Sequence, residues 1–240
     1  MSQTPAQHVV LLVGSNKPAG TSTSEALGRY LLDQLEPHGF DTTVLFTNRV
    51  SHEGKGVTTL LDACDQADVL IVASPLFADT LHALTILALE RITAHRTSAT
   101  RTSATMPKPC QLVGIMNSGF PEAAHNQLAL DSLRCFAQQA GFTWAGGLAL
   151  GGGQALRGQH LDKIKGMARH AVRALELTAS ALAAGQPIPQ QAVDTMAQPI
   201  ISPWLYTFMG SIGWLVQGAQ QDALRKLWDK PYQDEAASSK

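Results

Sequence analysis

Short apolar runs alternate with amphipathic stretches along the first 184 residues of the chain. A run of apolar residues with no polar position is typical of a strand buried on both faces of a sheet. Residues 9–13 and 69–73 are the clearest such runs, and the first ends at Gly14. On this pattern we predict five strands, at residues 9–13, 42–46, 69–73, 111–116 and 143–150.

Between the predicted strands, apolar residues recur every three or four positions, which is the spacing of an amphipathic helix. We predict five helices, at residues 21–35, 57–67, 81–92, 123–140 and 161–184. Strands and helices that alternate in this way predict an α/β domain with a parallel sheet and helices on both faces. Ligands of such sheets bind beyond the carboxyl ends of the strands, so the loops there are the first candidates for a site.

The loop after the first predicted strand, residues 14–22, carries small and hydroxyl-bearing side chains and leads into a helix. A helix N-terminus attracts anions through its free N–H groups and its dipole. Hydroxyl groups of Ser15, Thr21 and Ser22 add hydrogen bonds, and Lys17 adds positive charge. The loop matches neither the Walker A pattern nor GxGxxG. We therefore favour a phosphate site over a simple turn with a hydroxyl cap.

These residues carry a family resemblance. Residues 14–22 resemble the phosphate loop of the NADPH-dependent FMN reductase family, in which a Gly-Ser-x-Arg-x-x-Gly/Ser-x-Thr pattern wraps the FMN phosphate. Lys17 stands where that family has arginine, which keeps the charge and loses the bidentate fork. The resemblance covers roughly residues 8–180.

The loop after the third predicted strand resembles the segment of that family that lines the flavin ring. The residues implied as ring contacts are Pro75, Leu76, Phe77 and Ala78. Two positions depart from the family: Phe77 replaces a common tyrosine, and Thr85 replaces a common lysine.

The loop after the fourth predicted strand resembles the segment that holds the pyrimidine side of the flavin. The residues implied here are Asn117, Ser118, Gly119 and Phe120. Asn117 and Ser118 are the candidates for hydrogen bonds, and Gly119 permits a close approach of the backbone to the ring.

The resemblance implies a flavodoxin-like FMN-binding domain over residues 1–184. The implied reaction passes a hydride from NADPH or NADH through FMN to a small-molecule acceptor such as a quinone, a flavin or an azo compound. The cofactor performs that chemistry, so no residue is assigned a catalytic role. The family also implies a homodimer or homotetramer. Two alternatives stay open: a flavodoxin-type electron-transfer module that does not oxidise NAD(P)H, and a flavin-free binding or scaffold protein.

Composition narrows these choices. The formal net charge is −1, which gives no electrostatic basis for nucleic-acid binding and disfavours a strongly acidic electron carrier. The three cysteines are far apart, so we expect free buried thiols in a reducing compartment. No signal peptide is visible, which predicts a cytoplasmic protein. The eight histidines show no metal-ligand spacing, and we predict no metal site.

Three segments lie outside the alternating pattern. The loop at residues 151–157 fails the GxGxxG fingerprint at Leu156 and is expected to form a flexible rim of the active site. Residues 96–105 repeat RTSAT twice, which predicts a duplicated surface loop; the alternative is that Arg96 and Arg101 attract the NADPH phosphate.

Residues 185–240 are predicted to form a helical extension, with one helix from residue 202 and a second at 219–228. No Asp, Glu, Lys or Arg lies in the stretch 195–221. Proline and glycines interrupt its apolar pattern, which argues against a transmembrane span. Because interfacial helices usually carry lysine and arginine on their polar face, we favour packing within a protein over membrane contact.

Overall fold

The computed structural model describes residues 7–50, 54–102, 108–221, 223–226 and 229. The chain forms two compact units, Met1–Ile200 and Ile201–Lys240. The first unit contains the whole β-sheet and the site, and the second is a helical segment.

A single parallel sheet of five strands forms the centre of the first unit. The strands are β1 (Gln7–Val13), β2 (Phe40–Phe46), β3 (Val69–Pro75), β4 (Gln111–Asn117) and β5 (Thr143–Leu150). Their order in the sheet is β2-β1-β3-β4-β5, which is the doubly wound order of flavodoxin-like folds. The predicted strands and the predicted fold are confirmed.

Eight α-helices lie in the described part of the chain. They are α1 (Thr23–Leu35), α2 (Thr47–Val50), α3 (Lys55–Gln66), α4 (Ala83–Thr102), α5 (Gln127–Ala140), α6 (Lys165–Ala183), α7 (Gln190–Met196) and α8 (Pro203–Gln220). Short 3₁₀ turns precede α5 at Ala123–Asn126 and α6 at Leu161–Ile164. The sequence pattern gave no indication of the short helix α2, and α7 was not assigned as a separate helix within the predicted helical extension 185–240.

Alternate side chains of each inner strand pack into two separate cores. On β1, Val9, Leu11 and Val13 belong to the core that contains α1, α6 and α7. Val10 and Leu12 belong to the core that contains α3, α4 and α5. Helices therefore cover both faces of the sheet, as the uninterrupted apolar runs predict.

The RTSAT repeat begins inside helix α4, which corrects the expectation of a surface loop for residues 96–102. Arg96 is only 2% exposed. Its guanidinium stacks over the Phe142 ring at 4.2 Å, and its Nε donates to the Ala140 carbonyl at 2.7 Å. These tertiary contacts stabilise helix α4 through the first copy of the repeat, residues 96–100. Residues 103–105 of the second copy lie outside the described residues.

The first unit extends further than the predicted domain boundary at residue 184. Ile188, Ala192 and Met196 are buried in the same core as α1 and α6. The Ile188 N–H also donates to the Ala145 carbonyl of β5 at 2.8 Å. Residues up to Ile200 therefore belong to the α/β domain, and only the remainder forms a separate unit.

Helix α8 is the main element of the second unit. The Ser202 hydroxyl caps its N-terminus by accepting from the Leu205 N–H at 3.4 Å, and Pro203 follows as the first helical residue. Among the described residues of the predicted second helix at 219–228, α8 continues to Gln220 and a 3₁₀ turn occupies Leu224–Lys226; residues 222, 227 and 228 lie outside the described residues. No helix in the described part of the chain is long and apolar enough to span a membrane.

The cysteines agree with the prediction at two positions of three. Cys64 and Cys110 are buried free thiols, and Cys135 is a free thiol exposed on α5. Desolvation by burial raises the pKa of Cys64 and of Cys110 to about 12. These two thiols therefore stay protonated and unreactive near neutral pH.

Asp68 ties together three strands at the amino end of the sheet. Its carboxylate accepts from the His8 N–H at 2.8 Å and pairs with Lys108 Nζ at 2.8 Å. Partial burial alone would raise the pKa of Asp68, but the hydrogen bonds from Lys108 and His8 outweigh it and lower the pKa below its usual value.

We expect Asp68→Asn to reduce the free energy of unfolding by about 1 kcal/mol at neutral pH. Because the folded pKa is lowered, the carboxylate stabilises fully above its unfolded pKa of about 3.9, and this stabilisation is lost as the pH falls through the folded pKa. Urea titrations between pH 7 and pH 3 measure the difference from wild type. A difference that stays constant over that range would contradict the assignment, and Asp62→Asn on the exposed face of α3 is the control.

Candidate functional site

The loops after β1, β3 and β4 meet in an open pocket at the carboxyl ends of the strands, called the loop pocket below. Its volume is about 1010 Å³. Backbone hydrogen bonds extend the strand pairing into the loops: Gly14 N–H to Ala73 at 2.8 Å, and Leu76 N–H to Asn117 at 2.8 Å. The relative positions of the three loops are thus set by the sheet itself.

Nine of the twelve predicted site residues line the loop pocket: Ser15, Lys17, Ser22, Pro75, Leu76, Phe77, Asn117, Ser118 and Gly119. Thr21, Ala78 and Phe120 lie outside it. The other lining residues are Gly14, Asn16, Pro18, Thr23, Ser24 and His82, together with Gln154 and Arg157 of the loop predicted to form the rim of the site.

One end of the loop pocket is the N-terminus of α1. Ser22 caps this helix, and its Oγ accepts from the Glu25 N–H at 3.1 Å. The N–H groups of Thr23 and Ser24, the first two helical residues, have no acceptor within the helix. Ser15 and Lys17 lie on the same side of the pocket. This end therefore offers backbone donors, hydroxyl groups and one cation to an anion.

Thr21 faces away from this arrangement. Its hydroxyl donates to the Pro18 carbonyl at 2.6 Å, which closes the turn of the loop. Because the cap is Ser22, the next two residues, Thr23 and Ser24, also line the pocket with their hydroxyl groups, whereas Thr21 does not. Choosing Ser22 as the N-cap from the sequence would have identified Thr23 and Ser24 as the first two helical residues.

A buried carboxylate lies just behind the anion end. Glu25, 2% exposed, accepts from the Gly20 N–H at 2.6 Å and pairs with Arg29 Nε at 2.8 Å. Arg29 balances its negative charge, and Glu25 does not line the pocket. The carboxylate thus shapes the loop without opposing an anion there.

The loop after β3 forms the apolar wall of the pocket. Phe77 and Thr80 pair across a tight turn, with N–H to carbonyl distances of 2.9 and 3.1 Å. Between them, Ala78 and Asp79 have φ of 47° and 61°. In a turn with two consecutive positive φ values, the flanking residues form the closing pair. Ala78 therefore lies at the tip of the turn. Phe77, a member of the closing pair, lines the pocket and is 61% exposed.

His82 links the loop after β3 to the loop after β1. One ring nitrogen hydrogen-bonds the Asn16 side-chain amide at 2.8 Å, and the other accepts from the Leu84 N–H at 3.2 Å. The ring also meets Phe77 edge-on, with centroids 5.4 Å apart. Its place is therefore fixed by both loops, and the residue is part of the pocket wall.

Asn117 and Ser118 bring hydrogen-bonding groups to the pocket from the end of β4. The amide nitrogen of Asn117 donates to Ser24 Oγ at 2.8 Å and to the Ser74 carbonyl at 3.3 Å, which fixes the side chain and leaves its Oδ1 as an acceptor. Phe120 instead packs on His125, with centroids 5.2 Å apart, outside the pocket.

The loop after β5, which the sequence placed at the rim of the site, forms a fourth wall of the pocket. Gly152 N–H donates to the Phe120 carbonyl at 2.6 Å, and Gly153 N–H to the Ser118 carbonyl at 2.8 Å. These bonds tie the glycine stretch to the loop after β4, where the sequence predicted a flexible rim. Gln154 and Arg157 line the pocket from this loop. The three consecutive glycines at 151–153 are the sequence feature that permits these close backbone contacts.

Among the residues that the structure describes, no group of three His, Cys, Asp or Glu side chains is placed to hold a metal ion. The pocket is likewise lined by no carboxylate among its described residues. What the arrangement can do is bind a ligand with an anionic end and a flat or apolar body.

The sequence and the structure were compared with those of known proteins. No protein-family model and no curated protein matches the sequence. An azoreductase from Bacillus anthracis str. Sterne matches the structure with a TM-score of 0.51 at 15% identity, covering 74% of this chain and 98% of that chain. The Trp repressor binding protein from Bacillus subtilis matches with a TM-score of 0.50 at 14% identity, covering 70% and 95%.

A flavone reductase also matches, with a TM-score of 0.50 at 12% identity, covering 78% of this chain and 70% of that chain. At these identities the likeness shows the fold: the chain has a five-stranded flavodoxin-like α/β fold.

Proposed function

We propose that the loop pocket binds FMN and that the protein is an NAD(P)H-dependent oxidoreductase. In this proposal a hydride passes from NADPH or NADH through FMN to a small-molecule acceptor such as a quinone, a flavin or an azo compound. The observation that carries the proposal is the loop pocket, in which the loops after β1, β3 and β4 combine an anion end with an apolar wall.

The lining residues fit FMN by their chemistry. Its phosphate matches the α1 N-terminus with Ser15, Lys17 and Ser22. Its flat ring matches the apolar wall of Pro75, Leu76 and Phe77. The pocket volume, about 1010 Å³, lies at the upper end of the roughly 300–1,000 Å³ typical of cofactor sites.

Bound FMN supplies the two-electron chemistry, and the protein supplies binding and orientation. The amide nitrogen of Asn117 is held by Ser24 and Ser74, so Oδ1 is the atom of this side chain that would accept from a ring N–H. Gly119 adds no side chain at the ring edge. We assign no acid or base, since hydride transfer needs none from the protein.

The reaction is tested on the FMN-loaded protein under anaerobic conditions. Addition of NADPH or of NADH is expected to bleach the oxidised-flavin absorption, and a quinone added afterwards is expected to restore it. Flavin that stays oxidised with both nucleotides would instead show an electron-transfer module. The ratio of the two bleaching rates gives the nucleotide preference.

A homodimer or homotetramer remains a prediction from the family resemblance. A mainly apolar groove of about 650 Å³ between α4 and α5 offers a surface that an oligomer would bury. Ile86 and Leu128 line it and are 38% and 60% exposed. The groove begins at Thr80 and Leu81, directly after the loop that carries Phe77.

A further inference from the structure

The charge of the loop pocket is not balanced by the residues that line it. Lys17 and Arg157 carry the full charges among the described lining residues, both positive, and no aspartate or glutamate accompanies them. Neither side chain takes part in an ion pair within the described part of the chain. A phosphate monoester carries between one and two negative charges at neutral pH, so one lysine alone leaves part of that charge unmatched.

The backbone around Arg157 is fastened to the anion end of the pocket. The next residue, Gly158, has φ of 66° and lies directly against the Thr21 carbonyl; a Cβ there would also be 2.8 Å from the Ser22 nitrogen. On the other side, Thr23 Oγ1 donates to the Gly153 carbonyl at 2.9 Å. Both contacts are with the residues that start α1.

Gln154 marks the opposite end of the same loop. A Cβ on Gly119 would be 3.1 Å from the Gln154 amide nitrogen, so Gln154 covers the side of the pocket formed by the loop after β4. The loop after β5 therefore runs from the ring side at Gln154 to the phosphate side at Arg157.

Arg157 itself adopts a left-handed backbone, with φ of 50°. This conformation is uncommon for a residue other than glycine and costs about 1–2 kcal/mol. Such strain persists where the surrounding structure imposes it, and it clusters at ligand sites. Here it turns the chain between two contacts to α1, at the point where Arg157 lines the pocket.

We propose that Arg157 binds the phosphate of FMN from the loop after β5, as the second cation beside Lys17. This inference rests on the proposed FMN site. The planar guanidinium supplies a bidentate contact to phosphate that the lysine in the first loop does not. The pocket thereby holds the phosphate between two loops rather than within one.

Flavins with and without the phosphate test the inference. For Arg157→Gln we expect the Kd of FMN to rise about tenfold, the loss of one charge-assisted hydrogen-bonded contact, and the Kd of riboflavin to stay unchanged. Arg157→Lys is expected to fall between wild type and Arg157→Gln for FMN. Arg169→Gln on the exposed side of α6 removes the same charge elsewhere and should leave both values unchanged.

An unchanged FMN Kd in Arg157→Gln would overturn the inference while leaving the proposed function intact. Equal losses for FMN and riboflavin would also overturn it, because they would place Arg157 at the ring or in the packing of the loop. A raised KM for NADPH with an unchanged FMN Kd would assign Arg157 to the nicotinamide nucleotide instead. Wild-type protein that binds no FMN would end both the inference and the proposed function.

Discussion

A Gly151→Ala variant is expected to lose about 2 kcal/mol of unfolding free energy, a typical cost of overpacking, and to bind FMN more weakly. A Cβ at this position would overlap the Pro121 carbonyl oxygen and lie 2.6 Å from the carbonyl carbon and 3.0 Å from the Ala123 nitrogen. All three are backbone atoms, so no side-chain rotation relieves the overlap. The loops after β4 and β5 must separate, and both line the loop pocket.

Gly166→Ala is the matched control for this change. A Cβ on Gly166 would meet nothing within 4 Å, and the residue lies in helix α6. Alanine there is expected to raise stability by about 0.5–1 kcal/mol through helix propensity. Urea titration of the flavin-free proteins gives the stabilities, and quenching of flavin fluorescence gives the FMN Kd. If Gly151→Ala matched wild type in both, the close packing of the two loops would be refuted.

The largest loss of stability is expected from Arg96→Met, at about 3 kcal/mol. Arg96 Nε donates to the Ala140 carbonyl at the C-terminus of α5 at 2.7 Å, and a terminal nitrogen lies 3.4 Å from the Gly141 carbonyl. The same guanidinium stacks on Phe142. Methionine keeps an apolar stem but leaves the buried carbonyl of Ala140 without its donor.

Arg134→Met controls for the loss of a cation from an exposed helix face. Arg134 is 57% exposed and pairs with Asp131 at 3.0 Å, and such surface pairs contribute less than about 1 kcal/mol. Midpoints of urea unfolding compare the two variants. We also expect the KM for NADPH to be unchanged in folded Arg96→Met, because the Arg96 side chain is buried against the C-terminus of α5. A raised KM with unchanged stability would favour the nucleotide-binding role of the repeat.

The centre of the sheet could be predicted from sequence because the inner strands β1, β3 and β4 are buried on both faces. Runs such as residues 69–73 contain no polar position, so neither their type nor their place is ambiguous. The rules for parallel α/β domains reduce the possible strand orders to a few, and the resemblance of the loops to the FMN reductase family indicated the flavodoxin-like order. The extra residues of β2, Phe40 and Asp41, were missed because a polar residue interrupts the apolar pattern.

Elements that depend on tertiary contacts were not predictable. Helix α7 has seven residues and is held by Ala192 and Met196 in the core. Helix α4 extends past residue 92 because Arg96 finds buried acceptors on α5. In both cases the local sequence is polar enough to suggest a loop, and packing decides the structure.

The residues of the candidate site likewise fall into those that the sequence pattern could locate and those that depend on tertiary contacts. Its residues that directly follow a strand, such as Ser15, Pro75 and Asn117, were found because strand ends determine their place. Gln154 and Arg157 reach the pocket through a glycine-rich loop whose path depends on contacts with Thr21 and Ser118. No spacing in the sequence encodes such contacts.

The most direct measurement is the absorption spectrum of the purified protein after incubation with FMN and desalting. We predict that each chain retains one FMN, seen as the visible bands of oxidised flavin in proportion to protein. A protein that emerges colourless after this treatment, while still folded by circular dichroism, would contradict the account and favour a flavin-free binding protein of the same fold.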